Sequence, residues 1–561
     1  NYCLMRYLIV CLLLFGSPLL HAQLHDYNLM MGYSGGEGTD TTNEFGLMWW
    51  RFEDESLEIV DHQHQGQATI WENNVSYSNG IGRLFCYFGG QNIYTKEHLV
   101  MEGGSNWNDG LPGWFAPQLG LILPYPGKVD SLSVLLNSET HYFFNITQSA
   151  GRNLYFSVVD QMFNNENGKV ALRKEQVLED TLDLGQISAC RHANGRDWWV
   201  IVARYTLNQF HRFLLSPEGF KFIGNQDFGG EEKNLGLGQA LFTPDGSKHI
   251  RYHSVGGGNG DHLTIFDFDR CTGLLSNREY EDYDKIAGGG GAAVGAGSRY
   301  LYVGSGIHLY QYDLWADNVL STRSLVAEHD GFIDFNPTTF FASQRGPDGK
   351  IYICGGVGTR YMHVIHNPDD PCPNCRIEQR GVELPTFNAG SVPNFPNYRL
   401  GPIDGSPCDT LGIDNIPLSR WRYEQDTLTP FTVQFYDLSD YEPATWSWDF
   451  GEGSSSMDTL PAHTFPGPGT YEVCLTVSNA NGSDTKCKTL AFTEPVSTTQ
   501  EAETAPLATA FPNPFRERFS LSLRAGWLPV QANAVVYDAM GRPILTQRLS
   551  AGFNTLDLSG H

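Results

Sequence analysis

One turn chemistry recurs along this chain and decides most of what it can fold into. Asn167-Gly168-Lys169, Asn194-Gly195-Arg196, Pro244-Asp245-Gly246 and Pro347-Asp348-Gly349 each place a glycine after Asn or Asp at a reversal. Glycine supplies the left-handed backbone that a tight hairpin needs. Short strands rich in aromatic and β-branched residues accompany these turns, at Asp197 to Ala203, Ser298 to Val303 and Lys350 to Cys354. Turn and strand return in segments of roughly 50 to 100 residues, the pattern produced by a β-propeller of four-stranded blades. We therefore expect an all-β protein with an N-terminal β-propeller of six or seven blades over residues 23–411. One β-sandwich would be oversized for that length.

Two further β modules are expected. From 415 to 494 the chain reads as a small sandwich, with Trp446, Trp448 and Phe450 alternating onto one face of a strand as its core. Residues 495–509 form a polar linker. Alternating strands follow over 510–561, a short C-terminal β-sandwich.

The N-terminus reads as a secretory signal over 1–22. Arg6 precedes an apolar run to Phe15, Gly16 and Pro18 break it, and Ala22 is the small residue before a cut at Gln23. The sequence opens on Asn1, so the true start is expected at Met5 or upstream. No later stretch is apolar for the ~18 residues of a membrane-spanning helix. Cleavage removes one cation and no acid, taking the net charge from −26 to −27. That acidity argues against nucleic acid and anionic membrane surfaces as partners.

Of the 11 cysteines, Cys3 and Cys11 leave with the signal, and the nine that remain are an odd number. Cys86, Cys190, Cys271 and Cys354 lie in apolar runs and read as buried free thiols. Cys372 and Cys375 have CxxC spacing without the second pair a zinc site needs. One of them is expected to bridge to Cys408, the alternative being that both stay reduced. The spacing of Cys474 and Cys487 permits a cross-strand disulfide.

Catalytic signatures are missing. The chain has no Gly-x-Ser-x-Gly elbow, no His-Glu-x-x-His and no phosphate loop. His62 and His64 read as a solvated turn before a metal pair. Asp261, Asp267 and Asp269 are the low-ranked metal candidates, calcium being the ion such oxygens would take. Asp269 is better explained by backbone hydrogen bonds to the Arg270–Gly273 turn, and no cofactor is expected. Glu53-Asp54-Glu55 and Glu231-Glu232 are weak candidates for a glycosidase pair in so acidic a chain. Trp49-Trp50 and Trp198-Trp199 should put one ring on each sheet face, at least one packing between blades. Trp107 and Trp114, read as exposed, are the candidates for stacking on sugar rings, although packing is the plainer explanation.

Three stretches resemble known families. Pro512-Asn-Pro-Phe515, Val536-Tyr-Asp-Ala-Met-Gly-Arg542 and Gly552-x-Asn-x-Leu-Asp-Leu558 resemble the C-terminal sorting domain of the Bacteroidetes type IX secretion system. The resemblance implies Sec export, passage through the type IX machinery and release or anchoring at the outer-membrane surface. The family's final strands do not follow, so the sorting domain is expected to be incomplete. Trp446-Ser-Trp-Asp-Phe-Gly-Glu-Gly453 and Pro468-Gly-Thr-Tyr-Glu-Val473 resemble the PKD domain, an immunoglobulin-like spacer or binding accessory, with Glu452 where Asp is usual. Gly195-Arg-Asp-Trp-Trp-Val200, Phe266 to Gly273, Gly346 to Tyr352 and Val392-Pro-Asn-Phe395 resemble propeller-like regions found upstream of such modules, which carry no established role.

Two functions fit. The first is a secreted or cell-surface, non-catalytic adhesion protein whose propeller binds a glycan or a protein. The second is a secreted polysaccharide hydrolase or lyase with its site on the propeller face. The absence of a catalytic motif favours the first. N-terminal sequencing of the exported protein should read from Gln23; a mature chain that retains Leu19-Leu20-His21 would overturn the assigned cut.

Overall fold

The computed structural model describes residues 23–33, 45–61, 70, 73–107, 117–142, 149–205, 207–231, 237–254, 261–283, 289–426 and 429–493. It also describes shorter stretches at 508–511, 518–523, 533–537, 543–549 and 553–558. The signal segment with Ala22, together with His62, His64, Trp114 and Glu232, lies outside the described residues. The chain divides into two units, 1–465 with 471–490 and 466–470 with 491–561.

The first unit holds seven antiparallel sheets among its described residues before the sandwich, each pairing its strands in chain order. The first comprises Asn28–Tyr33, Gly46–Glu53 and Ser56–Asp61. The second comprises Val75–Ser78, Leu84–Phe88 and Ile93–Thr95. The third comprises Gly120–Pro124, Leu132–Tyr142, Ser149–Asp160 and Lys169–Leu182. The fourth runs Ser188–Arg191, Trp198–Ala203, Leu207–Ser216 and Gly219–Glu231, the fifth Leu237–Phe242, Lys248–Ser254, His262–Asp269 and Leu274–Asp282. The sixth runs Gly290–Val294, Tyr300–Ser305, His308–Asp313 and Ser324–Glu328, the seventh Ser343–Arg345, Ile351–Cys354, Thr359–Ile365 and Ile377–Asn388. Each is a meander resembling a propeller blade.

Burial on both faces of the central strands explains their unbroken apolar runs. In Trp198–Ala203, Trp198, Val200 and Val202 pack toward the third sheet while Trp199, Ile201 and Ala203 pack toward the fifth. The Trp198-Trp199 pair thus divides between two interfaces, as period-two alternation requires. In the first sheet Trp50 packs against the seventh and Trp49 lies beside the cluster shared with the second. Further clusters join the fifth sheet to the sixth and the sixth to the seventh. Burying one such side chain contributes about 1.5–3 kcal/mol.

The turns set the meander. Gly168, Gly195, Gly246 and Gly349 all adopt positive φ, between 72° and 81°. At Gly246 a side chain would also collide with Cys190 Sγ at 2.7 Å, so both backbone and space demand glycine. Asp245 completes that turn by accepting the Ser247 N–H at 2.9 Å.

After the seventh sheet the chain returns past the first. Ala389 N–H bonds Gly32 O and Asn394 N–H bonds Asn74 O, each at 3.0 Å. The Asn394 amide gives hydrogen bonds to Gly120 O and Ile187 O, and Tyr398 gives one to Ile122 O. Arg399 then meets Asp26 through two bonds of 2.6 and 2.7 Å, with both residues buried.

Cys408 corrects one expectation. It pairs with Cys271, and Cys372 pairs with Cys375. Ile403 N–H bonds Ala193 O and Arg270 bonds Gly401 O, which carries the chain past the Asp269–Gly273 turn and brings the Cys271 and Cys408 Cα atoms to 5.6 Å. Cys271 is therefore not a free thiol, whereas Cys86, Cys190 and Cys354 are buried and take part in no disulfide among the described residues.

Residues 421–492 form a sandwich. One sheet contains Trp421–Gln425, Thr432–Asp437 and Ala462–Thr464; the other contains Ser455–Ser456, Thr445–Asp449, Gly469–Asn479 and Gly482–Phe492. Trp448 and Phe450 are buried in its core, whereas Trp446 is half-buried and gives its indole N–H to Asp437. Cys474 and Cys487 are bridged. Glu452, where Asp is usual, receives His463 Nε2 at 2.7 Å, a contact the longer side chain reaches.

In the second unit, Ala508–Phe511, Arg518–Leu523 and Phe553–Asp557 share one sheet, and Asn533–Tyr537 pairs with Pro543–Arg548. Its first strand starts inside the expected linker. Among the described residues, no helix is long and apolar enough to cross a membrane.

Removing one partner of a buried ion pair costs about 3–5 kcal/mol. Asp26→Ala should lower the stability of the first unit by about that much, read from its denaturant midpoint, and adding Arg399→Met should recover part of the loss. A midpoint unchanged in Asp26→Ala would show that the return of the chain is held elsewhere.

Candidate ligand grooves beside the sandwich

A column of buried charge fixes the sandwich to the first sheet. Asp54 and Glu55 occupy the turn between Gly46–Glu53 and Ser56–Asp61, both at positive φ. There Glu55 accepts Tyr27 Oη at 2.8 Å and Lys488 Nζ at 2.6 Å, and lies 3.2 Å from Arg420 Nε. Arg420 also bonds Tyr27 Oη at 2.9 Å and Asp440 at 2.8 Å, while Asp440 lies 3.2 Å from Arg399. Burial pushes the Glu55 carboxyl up, but Arg420 and Lys488 more than reverse this and hold it below its ordinary value. Burial likewise opposes the charge of Asp26, and Arg399 keeps it low. A module tied this way is not a free spacer.

Two grooves share Asp54 and Glu55 in their walls. The larger, about 890 Å³, runs between Trp49, Arg51, Glu53, Arg83 and Lys96 on one side and Ser419, Asp484 and Lys486 of the sandwich on the other. The smaller, about 440 Å³, is lined by Asp348, Lys350, Tyr352, His366 and Arg422. Pockets of this size at domain junctions are where ligands commonly sit. In the larger groove the carboxylates are engaged: Asp54 meets Lys486 at 2.7 Å, Glu53 lies 3.8 Å from Arg51, and Asp484 accepts Ser419 N–H at 2.8 Å. In the smaller, burial raises the Asp348 carboxyl, but that group is enclosed and bonded to Tyr352 Oη at 2.8 Å within its own turn.

The space among the first strands of the sheets is small. A cavity of about 70 Å³ lies among the first strands of the fourth to seventh sheets and residues 394–397. Gln118 bridges Ala240 and Asn394, and Gln239 bridges Ala292 and Ser343, so these amides bond protein. A sugar ring has no room there.

The sequence candidates fare unevenly. Trp107 is not an exposed ring: it is fully buried, its indole N–H bonds Asn137 at 3.0 Å, and Arg173 stacks over it. Asp261, Asp267 and Asp269 do not converge on a cation. Asp261 is buried and accepts Tyr252 Oη, Asp267 pairs with Lys248, and Asp269 accepts Cys271 N–H and Thr272 Oγ1. No group of three potential metal ligands occurs among the described residues. Gln23 accepts a bond from Arg191. Arg420 and Lys488 escaped sequence reasoning because Glu55 lies 365 and 433 residues away along the chain. Also unforeseen is a ledge on the loop before the seventh sheet, where Ile333 is 63% and Phe335 69% exposed. Asp330–Arg380 and Asp334–Arg360 pairs of 2.6 and 2.9 Å brace that loop.

The PKD domain family matches residues 420–493. The PKD1 domain of the Vibrio cholerae metalloprotease PrtV is 26% identical over 14% of this chain and 95% of that one, with a TM-score of 0.13. A putative 6-phosphogluconolactonase from Bacteroides uniformis is 12% identical over 65% and 98% of the two chains, with a TM-score of 0.38. The β-propeller domain of Nup133 from Vanderwaltozyma polyspora is 9% identical over 52% and 88%, with a TM-score of 0.26. Among curated proteins none matches. The chain thus contains a PKD domain.

Glu55, and Glu424, which Lys350 and Arg422 hold at about 2 against the opposing effect of burial, titrate lower in the folded protein than in the unfolded chain. The unfolded chain therefore binds protons first as pH falls. Their stabilisation is complete above their ordinary value of 4.5 and drains as the pH drops toward 2. Glu55→Gln should be less stable at neutral pH and lose less stability below pH 4.5 than the parent; parallel denaturation curves across that window would exclude the role given to Glu55.

Proposed function

We propose that this is a non-catalytic binding protein of the cell surface, exported by the type IX secretion system, whose seven sheets close as one propeller. Clusters linking neighbouring sheets, including seventh to first, support closure, as does the return of residues 389–399 along the first sheet. The sorting-domain motifs at 512–558 support the export route. The observation that carries binding over catalysis is the larger groove: it has ligand size and braced walls, while its Asp54, Glu55 and Asp484 carboxylates are committed to cations or backbone. A glycosidase needs one carboxyl held protonated near neutrality, and Glu55 is held the opposite way. A glycan ligand suits the half-buried Trp49 and the donors Arg51, Arg83 and Lys96. A protein ligand is favoured by a different observation, the braced and exposed Ile333–Phe335 ledge.

A glycan array probed with the full mature chain tests this, reading both retained protein and glycan consumed. Retention without consumption, weakened at least about tenfold by Arg83→Ala with Lys96→Ala, is expected; ~1.4 kcal/mol corresponds to that factor. Consumption of glycan would overturn the non-catalytic reading. If no glycan is retained and Phe335→Ala abolishes capture of a surface protein, the ledge replaces the groove.

A further inference from the structure

We propose that Gln23, once it is the first residue of the mature chain, closes on itself to pyroglutamate in a step promoted by Arg191. The proposal rests on the cut between Ala22 and Gln23. The side-chain oxygen of Gln23 accepts a hydrogen bond from Arg191 Nη2, and its backbone carbonyl accepts one from Arg399 Nη1 at 3.2 Å. Residue 23 is thus held at two points by arginines 168 and 376 positions away, both of them buried. Arg191 ends the first strand of the fourth sheet, stacks 4.0 Å from the Trp198 ring centroid and bonds Arg196 O and Tyr398 O. Among the described residues no carboxylate pairs with it. Burial above all, with Arg270 adding to it, pushes its guanidinium down to about 10.

A free α-ammonium on residue 23 would add a third positive charge beside Arg191 and Arg399. Asp26, three residues on, is already engaged by Arg399, and burial pushes the His25 imidazole down to about 4. These surroundings favour the neutral amine, a form ordinarily dominant only above about pH 8. That amine is the nucleophile. Its nitrogen bonds to Cδ of its own side chain, the bond from Cδ to the amide nitrogen breaks, and ammonia leaves carrying the proton the amine gives up. Negative charge develops on the side-chain oxygen during the attack, and this is the oxygen to which Arg191 donates, so the hydrogen bond strengthens in the transition state. The lactam keeps that carbonyl as an acceptor for Arg191 and removes the terminal charge, so the product suits the site better than the reactant.

A lactam blocks stepwise chemical sequencing, so mass spectrometry of the N-terminal peptide is the readout. The exported chain should begin at residue 23 and be lighter by one ammonia. A first peptide that starts at Gln23 with its ammonia retained overturns the proposal alone; one that starts elsewhere overturns the cut as well. The part given to Arg191 is tested on the full mature chain, released from a removable leader so that Gln23 comes first, with ammonia loss followed at neutral pH. Cyclisation should be at least about tenfold faster in the folded chain than in urea, and folded Arg191→Met should lose that advantage. Equal rates folded and in urea, or an undiminished rate in folded Arg191→Met, would show that Arg191 promotes nothing. The comparison with urea needs no variant, so it decides the matter even if Arg191→Met does not fold.

Discussion

Arg399 and Asp26 meet where the end of the blade-like region returns to its beginning, and much of the first unit hangs on that junction. The two residues lie 373 positions apart, and both are buried. Two charge-assisted bonds join them, the geometry in which a guanidinium best offsets its own desolvation. Asp440 of the sandwich reaches the same arginine and hands on to Arg420, Tyr27, Glu55 and Lys488. One connected set of charges therefore ties the first sheet, the returning segment and the PKD domain together. Loss of Arg399 would leave Asp26 buried without its cation.

Around that junction the sheets are joined by apolar contact. Alternating side chains of Trp198–Ala203 serve two interfaces at once, and residues of Asn28–Tyr33 do the same between the seventh sheet and the second. A strand that buries both faces loses the polar alternation of a surface strand. The same demand for material on both sides explains why Trp107, in a Gly-rich stretch that suggested exposure, is interior. Its ring fills space among the second to fourth sheets, and Asn137 satisfies its one donor.

The grooves follow from fixing the sandwich against the first sheet. Neither wall alone makes a pocket; the turn at Asp54–Glu55 and the strand bearing Lys486 and Lys488 must face each other. That apposition also spends the acids. Asp54 and Glu55, part of a cluster suggestive in sequence as catalytic, become anchors because cations from the sandwich arrive beside them.

Local chemistry made much of the architecture legible in advance. Asn-Gly and Asp-Gly turns need positive φ, alternation needs a pleat, and Trp-x-Trp-Asp-Phe-Gly marks its sandwich, so these features are readable within a few residues. The Cys474–Cys487 bridge belongs with them, since a short hairpin sets its geometry. Pairings across long separations were not legible. Cys271 with Cys408, Glu55 with Lys488 and Asp26 with Arg399 have no local signal, because chain length between partners carries no record of which surfaces will meet. The sequence by itself determined the kind of element, the turns and the modules. Only the tertiary structure decided which charges were spent, which aromatic rings were hidden and where a groove remained open, because each depends on what packs against a residue from elsewhere in the chain.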